Sequence, residues 1–421
     1  MKSTLGMGRE AKRAAWAVLW TTRAAVAAVA VFAALSFGPG GGGLAAVNAG
    51  KFDEPALTHP LGGFGDAVLS PLARWDSAWY LRIAESGYAG DTPSRGTGEA
   101  RAAFLPLYPL LVNAAGLIGG GSPAAQLIAA YLISLAAFFG ALALLHRLTT
   151  LELGRERAGP ALLLLAVFPA ALYFGAPYSE SLFLLASVGA FYAARTGRWA
   201  WAGAAAGAAA ATRSAGILLL VPLALLWWGQ QPTARRAGQL AWLALAPLAL
   251  AAYALHLGLA EGEPFAFLDV QGAWSRDFAG PLGGVWDGLV AGVEGARQLL
   301  SGSRAPVYFE QAGGDPFRIA AINVLLLGFL AFAVAACVGV WRRLPPAYGA
   351  WVTVALLLPL SFPVGPQPLM SLPRFLAVLF PIFMWLALVC EERRSTERVA
   401  AASAIGLGLF TAQYASWHWI S

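Results

Sequence analysis

Charge is what this sequence has least of. Only 12% of its 421 residues are Asp, Glu, Lys or Arg, about half the share of a soluble domain, and an ordinary water-soluble class is excluded on that ground. Cysteine is nearly absent. Cys337 and Cys390 both lie in apolar segments, so neither a disulfide framework nor a structural zinc site is indicated. The four histidines, His59, His146, His256 and His418, show no ligand spacing. No phosphate-binding P-loop and no dinucleotide fingerprint is present, and the run Gly40–Gly43 reads as a linker. Lysine is rare, 3 residues against 25 arginines, and no basic block or basic–aromatic patch occurs. The net charge of +6 therefore does not point to nucleic acid. Arginine over lysine, with abundant Ala and Gly, fits the codon bias of a GC-rich bacterium.

What is there instead is apolar sequence. Hydrophobic residues make up 58% of the chain and the mean hydropathy is +0.64. Runs able to cross a bilayer fall at 14–36, 124–146, 160–176, 179–194, 199–212, 215–229, 239–258, 318–341, 347–361, 373–390 and 399–418. The fold class is an all-α polytopic membrane protein with about eleven spans, read as one transmembrane domain over 1–421. The first run is longer than the roughly 7–15 apolar residues of a secretory signal and is taken as a retained helix. The short loops between runs carry Arg147, Arg155, Arg157, Arg195, Arg198, Arg235, Arg236, Arg342, Arg343, Arg393, Arg394 and Arg398. With Lys2, Arg9, Lys12 and Arg13 they hold 16 of the 28 basic residues. The other side holds 16 of the 22 acidic ones, mostly in two long segments, 37–123 and 259–317. The positive-inside rule puts the short loops and the N-terminus in the cytoplasm, and the two long segments outside.

Two stretches test that topology. As a single helix, 160–194 would reach about 52 Å, well beyond the hydrocarbon thickness, and Pro169 and Pro177 interrupt it. Reading 199–229 as one helix would invert everything after it, against the charge rule. Two short helices fit better, each about 21–23 Å long. Their junction, Thr212-Arg213-Ser214, then lies below the outer surface. An arginine there requires protein or water around it, which predicts an outward-opening cavity.

The stretch 72–88, LARWDSAWYLRIAESGY, concentrates Arg74, Asp76, Arg82 and Glu85 among Trp75, Trp79, Tyr80 and Tyr88 in the first outer segment. Leu72, Trp75, Trp79 and Ile83 share a helical stripe over Leu72 to Ala84, the pattern of an interfacial helix. A second such segment, AFLPLYPLL, spans 103–111. Four ionisable residues stand at outer helix ends: Asp76, Glu180, Arg213 and Arg374. Arginine's fork suits phosphate oxygens, and a carboxylate suits a general base. Plainer roles stay open. Asp76 caps its helix or pairs with Arg74 or Lys51; Arg213 and Arg374 pair structurally with Glu180 or with a helix-end carbonyl; Ser179 caps the helix that Glu180 begins. Arg74 and Arg82 snorkel to headgroups. Asp76 and Glu180 could together hold a divalent ion, but no feature demands a metal.

RWDSAWYLRIAESGY, AAFLPLYPLLV, FPAALYFGAPYSESLFLLAS, ATRSAGILLLVPL, FAFLDVQGAWSR and SLPRFLAVLFPIF occur in that order along the chain. Together they resemble the PIG-V-like mannosyltransferases, bacterial relatives of the GPI mannosyltransferase 2 family in the GT-C superfamily. The resemblance implies a GT-C fold, a site at the outer face of the bacterial inner membrane, and a polyprenyl-phosphate-mannose donor. It also implies a functional acid in the first outer loop, here Asp76, and an arginine on the donor phosphate, here Arg374 or Arg213.

The chemistry expected of that set is a single inverting displacement. A hydroxyl of a lipid or glycan acceptor attacks the sugar, Asp76 takes its proton, and Arg213 and Arg374 offset the phosphate's charge. Arg74, Trp75, Ser77, Tyr80, Tyr108, Tyr178, Glu180, Gln271, Trp274 and Arg276 are the candidate substrate contacts, the aromatics serving equally well as membrane-interface anchors. A transporter or flippase for a lipid-linked sugar is the competing class. It sits less well with charges gathered at one rim and with the lack of a repeat.

Overall fold

The computed structural model describes residues 2–38, 43–88, 98–270, 272, 276–302, 304, 315–365 and 367–419. Among the described residues the chain is all-helical; no strand forms, and one isolated bridge pairs Arg276 with Val364. Gly8–Phe37, Pro123–Leu153, Ala237–Glu261 and Pro316–Arg343 are each long and apolar enough to cross a bilayer. The chain is accordingly a multi-pass membrane protein. The other expected spans are helical too, but in shorter pieces.

Local chemistry sets the helix ends. Ser122 accepts a hydrogen bond from the Ala125 N–H at 3.2 Å just ahead of Pro123. Asp315 accepts from the Phe317 N–H at 3.1 Å ahead of Pro316. Both are side-chain caps followed by a proline whose missing N–H costs nothing in a first turn.

Two expected spans are broken within their length. In the stretch 160–176 the helical segment Arg155–Ala166 and the tighter turn Pro169–Gly175 meet at a bend of 86°. Pro169 supplies no N–H and forces Phe168 into extended backbone, φ −56° and ψ 142°. The stretch 373–390 is likewise divided into Leu372–Ala377 and Phe380–Glu392, with Pro381 in the first turn of the second piece.

The first break leaves carbonyls without helical partners, and a residue the sequence reading passed over supplies them. Arg23, 5% exposed in the first helix, donates to the Ala166 carbonyl at 2.8 Å and to the Ala171 carbonyl. Its guanidinium carbon lies 5.1 Å from the Phe138 ring centroid. A charged donor on a buried carbonyl contributes about 1.5–3 kcal/mol. Arg23→Met is therefore expected to cost about 2–4 kcal/mol, read as a lower unfolding midpoint in detergent. An unchanged midpoint would show that the carbonyls find other partners.

The Ala/Gly-rich helix Trp199–Thr212 packs against Glu180–Arg195 and Leu245–Glu261. Small residues let backbones approach in an apolar medium where packing, not water, drives association. A Cβ on Gly203 would sit 2.2 Å from the Trp242 carbonyl oxygen. The expected junction is present: the helix stops at Thr212, Arg213 is extended (φ −150°, ψ 142°), and Ser214–Leu219 turns back. That return is close enough that a Cβ on Gly216 would meet the Ala209 backbone at 2.2 Å. The N-terminal helix packs on both Pro123–Leu153 and Thr396–Ala415, so the two ends of the chain meet.

Candidate active site

Asp76 does not lie within a helix running from Leu72 to Ala84. Ser70–Leu72 is a short tight turn, Trp75 adopts left-handed backbone with φ 57°, and the helix proper is Ser77–Ser86. A bulky residue at positive φ costs on the order of 1–3 kcal/mol and persists only where its surroundings hold it. Here they do. The Tyr178 hydroxyl donates to the Arg74 carbonyl at 3.0 Å and accepts from the Asp76 N–H at 3.0 Å. The Tyr414 hydroxyl donates to the same Arg74 carbonyl at 2.7 Å. The Trp75 indole packs on Phe52, Trp417 and Trp419, with centroids 5.2, 5.4 and 4.9 Å away. The turn is clamped on both sides of Trp75, and Asp76 is aimed by it.

Arg374 reaches Asp76 from the far end of the chain. Its Nη1 donates to Asp76 Oδ2 at 2.6 Å, while its Nε donates to Glu180 Oε1. The guanidinium carbon lies 4.9 Å from the Tyr173 ring centroid and 4.8 Å from that of Tyr178. Arg213 adds a further bond to Glu180 Oε1 from Nη1. Glu180 is fully buried, and Asp76 keeps 16% of its side chain exposed. Among the described residues, Asp76 Oδ1 accepts no hydrogen bond. Ser371, which opens the helix carrying Arg374, is a second non-glycine residue at positive φ, 69°.

A cavity of about 570 Å³ opens on these groups. Asp76, Tyr80, Arg213, Ser214, Arg276, Ser371 and Arg374 line its polar end; Ile217, Leu218, Leu358, Pro359, Val378 and Leu379 line an apolar wall. Arg276 is anchored by the bridge to Val364 and by the Ala279 N–H bonded to the Ser361 carbonyl at 2.9 Å. Its Nη1 and Nη2 reach the Phe362 and Met370 carbonyls at 3.4 Å each. Burial, then repulsion from Arg374, lowers the Arg276 guanidinium to about 10, Asp76 raising it and Arg213 lowering it further.

Residues 52–226 match the mannosyltransferase (PIG-V) family model. The match bears out the resemblance to PIG-V-like mannosyltransferases. Asp76, Glu180 and Arg213 lie inside the matched stretch; Arg276 and Arg374 come from segments beyond it. No curated protein matches the chain. Among solved structures, the oligosaccharyltransferase of Archaeoglobus fulgidus in its apo form is similar at TM-score 0.49 and 15% identity, over 96% of this chain and 56% of that one. The same enzyme complexed with Zn and sulfate gives 0.44 and 17%, over 76% and 45%. The chain thus spans about half the length of those relatives.

The remaining candidates in this mannosyltransferase-like chain divide by position. Tyr80 lines the cavity, its hydroxyl 2.7 Å from Ser179 Oγ. That bond corrects the expected cap: the Ser179 side chain makes no capping bond to the helix Glu180–Arg195. Tyr108 is fully buried, its hydroxyl donating to the Ala130 carbonyl at 3.1 Å and lying 2.9 Å from Ser134 Oγ. Trp75, Ser77, Tyr108 and Tyr178 are buried behind the cavity wall, so they shape the site from behind. Arg74 is buried against Trp417, 4.8 Å from its ring centroid, away from the cavity. Burial lowers it to about 10, with Asp53 the largest opposing influence. Asp76 pairs with neither Arg74 nor Lys51. The pairing of Arg213 and Arg374 with Glu180, the plainer alternative, is present. Arg82 does not snorkel; it bonds Glu54 at 3.0 Å and Glu85 at 2.6 Å. Gln271 and Trp274 lie outside the described residues.

The sequence reading missed Tyr173, Tyr414, Trp419 and Phe375. Trp419 and Phe375 line the cavity. Tyr173 lies inside a quoted motif and was legible there, whereas nothing local marks Tyr414 or Trp419. The two carboxylates offered for a divalent ion are bridged by the Arg374 guanidinium. Among the described residues, no group of three or more His, Cys, Asp or Glu could hold a metal.

Proposed function

We propose that this protein is a GT-C-type membrane mannosyltransferase. In this reading about eleven spans run from a cytoplasmic N-terminus in a bacterial inner membrane, and the site faces outward. The donor is a polyprenyl-phosphate-mannose; the acceptor is a hydroxyl of a lipid or glycan. The carrying observation is the cavity itself, which joins an apolar wall to a polar end holding Asp76 and three arginines. A lipid phosphate needs both surfaces at once.

The prenyl chain lies along Ile217, Leu218, Val378 and Leu379, and its phosphate meets the arginines, Arg213 and Arg374 being those read from the sequence. The acceptor oxygen attacks the anomeric carbon as the bond from that carbon to the phosphate oxygen breaks. The hydroxyl proton passes to Asp76, whose Oδ1 is open to the cavity, and one displacement inverts the anomeric centre.

Charge supports the same assignment. Asp76, Glu180, Arg213, Arg276 and Arg374 together carry one net positive charge, which a phosphodiester donor neutralises. When the phosphate leaves as a dianion, Asp76 has become neutral, so the total is unchanged. A buried site in which charge moves but none is created costs little in a low dielectric.

The test is incubation of purified protein with polyprenyl-phosphate-mannose and candidate lipid and glycan acceptors, followed by mass measurement of the products. A product heavier by one hexose supports the reading. Donor movement across vesicles with no transfer to any acceptor overturns it in favour of a flippase.

A further inference from the structure

The three arginines of the cavity are not equivalent. Arg374 is committed. Two of its nitrogens are bonded to carboxylates, its plane is covered by Tyr173 and Tyr178, and its side chain is 8% exposed. Only its Nη2 makes no hydrogen bond among the described residues, so Arg374 has one nitrogen to offer a phosphate while the other two hold Asp76 and Glu180.

Arg276 is the opposite case. Among the described residues no carboxylate pairs with it. Its guanidinium rests on two carbonyls at 3.4 Å, the long limit of a hydrogen bond. Its backbone is nonetheless fixed, by the bridge to Val364 and the neighbouring bond from Ala279 to Ser361. Arg213 lines the same cavity and shares an aromatic neighbour with it: the two guanidinium carbons lie 5.9 and 5.7 Å from the Phe375 ring centroid. Arg213 spends one nitrogen on Glu180, and among the described residues its other nitrogens make no hydrogen bond. A cation with a fixed backbone, loose side-chain bonds and no counter-ion is a ready anion ligand. Phosphate oxygens would replace long carbonyl bonds by charge-assisted ones of about 2.7–2.9 Å.

We propose that Arg276 and Arg213 form the clamp that binds the lipid phosphate, and that Arg374 is a positioning residue that holds Asp76 in place. This rests on the reading of the cavity as a lipid-phosphate site. It divides the work differently from the sequence expectation, in which Arg374 held the phosphate and Arg276 touched sugar or acceptor.

The experiment compares binding of undecaprenyl phosphate and of undecaprenol, which lacks the phosphate, to purified protein in nanodiscs. Wild type is expected to prefer the phosphate. Arg276→Gln is expected to weaken phosphate binding by about tenfold to a hundredfold, the effect of losing a charged hydrogen bond, and to leave undecaprenol binding unchanged. The KM for donor should rise with it more than kcat falls. Arg374→Gln should do the reverse, lowering kcat while phosphate affinity stays within about threefold. Arg276→Lys, which keeps the charge and loses the fork, should lie between wild type and Gln, and it decides the matter if the Gln variant does not fold. Undiminished phosphate affinity in the Arg276 variants, or an equal loss in Arg374→Gln, overturns the clamp. If wild type itself shows no preference for the phosphate, the lipid-phosphate reading fails instead.

Discussion

Asp76→Asn is expected to lower kcat by about 10²–10⁴-fold, the usual contribution of a positioned general base, with little change in stability. The asymmetry follows from where the side chain sits. Asp76 lies at the cavity's polar end with Oδ2 on Arg374 and Oδ1 free. Asparagine keeps an oxygen for Arg374, so the ion pair becomes an ordinary hydrogen bond and the turn at Trp75 is untouched. What disappears is the basic lone pair. Steady-state transfer rates, set beside unfolding midpoints, check both halves. A variant that turns over at the wild-type rate would remove Asp76 from the chemistry, however well placed it is.

Glu180→Gln should produce the opposite pattern, a loss of stability of about 3–5 kcal/mol, as for other buried pairs stripped of one charge. Glu180 is fully buried, and one of its oxygens accepts from both Arg213 and Arg374. Neutralising it leaves two guanidinium groups facing each other at a site with little water to screen them. Activity should fall as well, because Arg374 loses the anchor that sets its reach to Asp76. Unfolding midpoints of the two variants, measured in the same detergent, make the comparison direct. Equal stability of Glu180→Gln and wild type would mean that Asp76 and the aromatic neighbours hold the arginines without the Glu180 charge.

Much of the site was legible because charge is so scarce. In a chain with 12% charged residues, an ionisable group at an outer helix end stands out. Asp76, Glu180, Arg213, Arg276 and Arg374 were all marked that way or by their motifs, and they come together in space. The junction at Arg213 followed from the charge rule, which required two helices, and from their length, since a span too short for the bilayer has to end within it. Arg23 was missed for the complementary reason. It sits in the middle of an apolar run, and the carbonyls that call for it belong to a break some 150 residues away, which sequence does not connect to it. The helix expected from Leu72 failed because its stripe of Leu72, Trp75, Trp79 and Ile83 is periodic, yet three hydroxyl contacts to the Arg74–Asp76 backbone hold Trp75 out of helical geometry.

The sequence by itself determined the class, the helical segments and which few side chains carry chemistry, because the hydrocarbon phase imposes its rules on each segment separately. Only the tertiary structure decided which arginine faces which acid. Asp76 and Arg374 are 298 positions apart, and their distance depends on how helices from both ends of the chain pack, not on any local pattern.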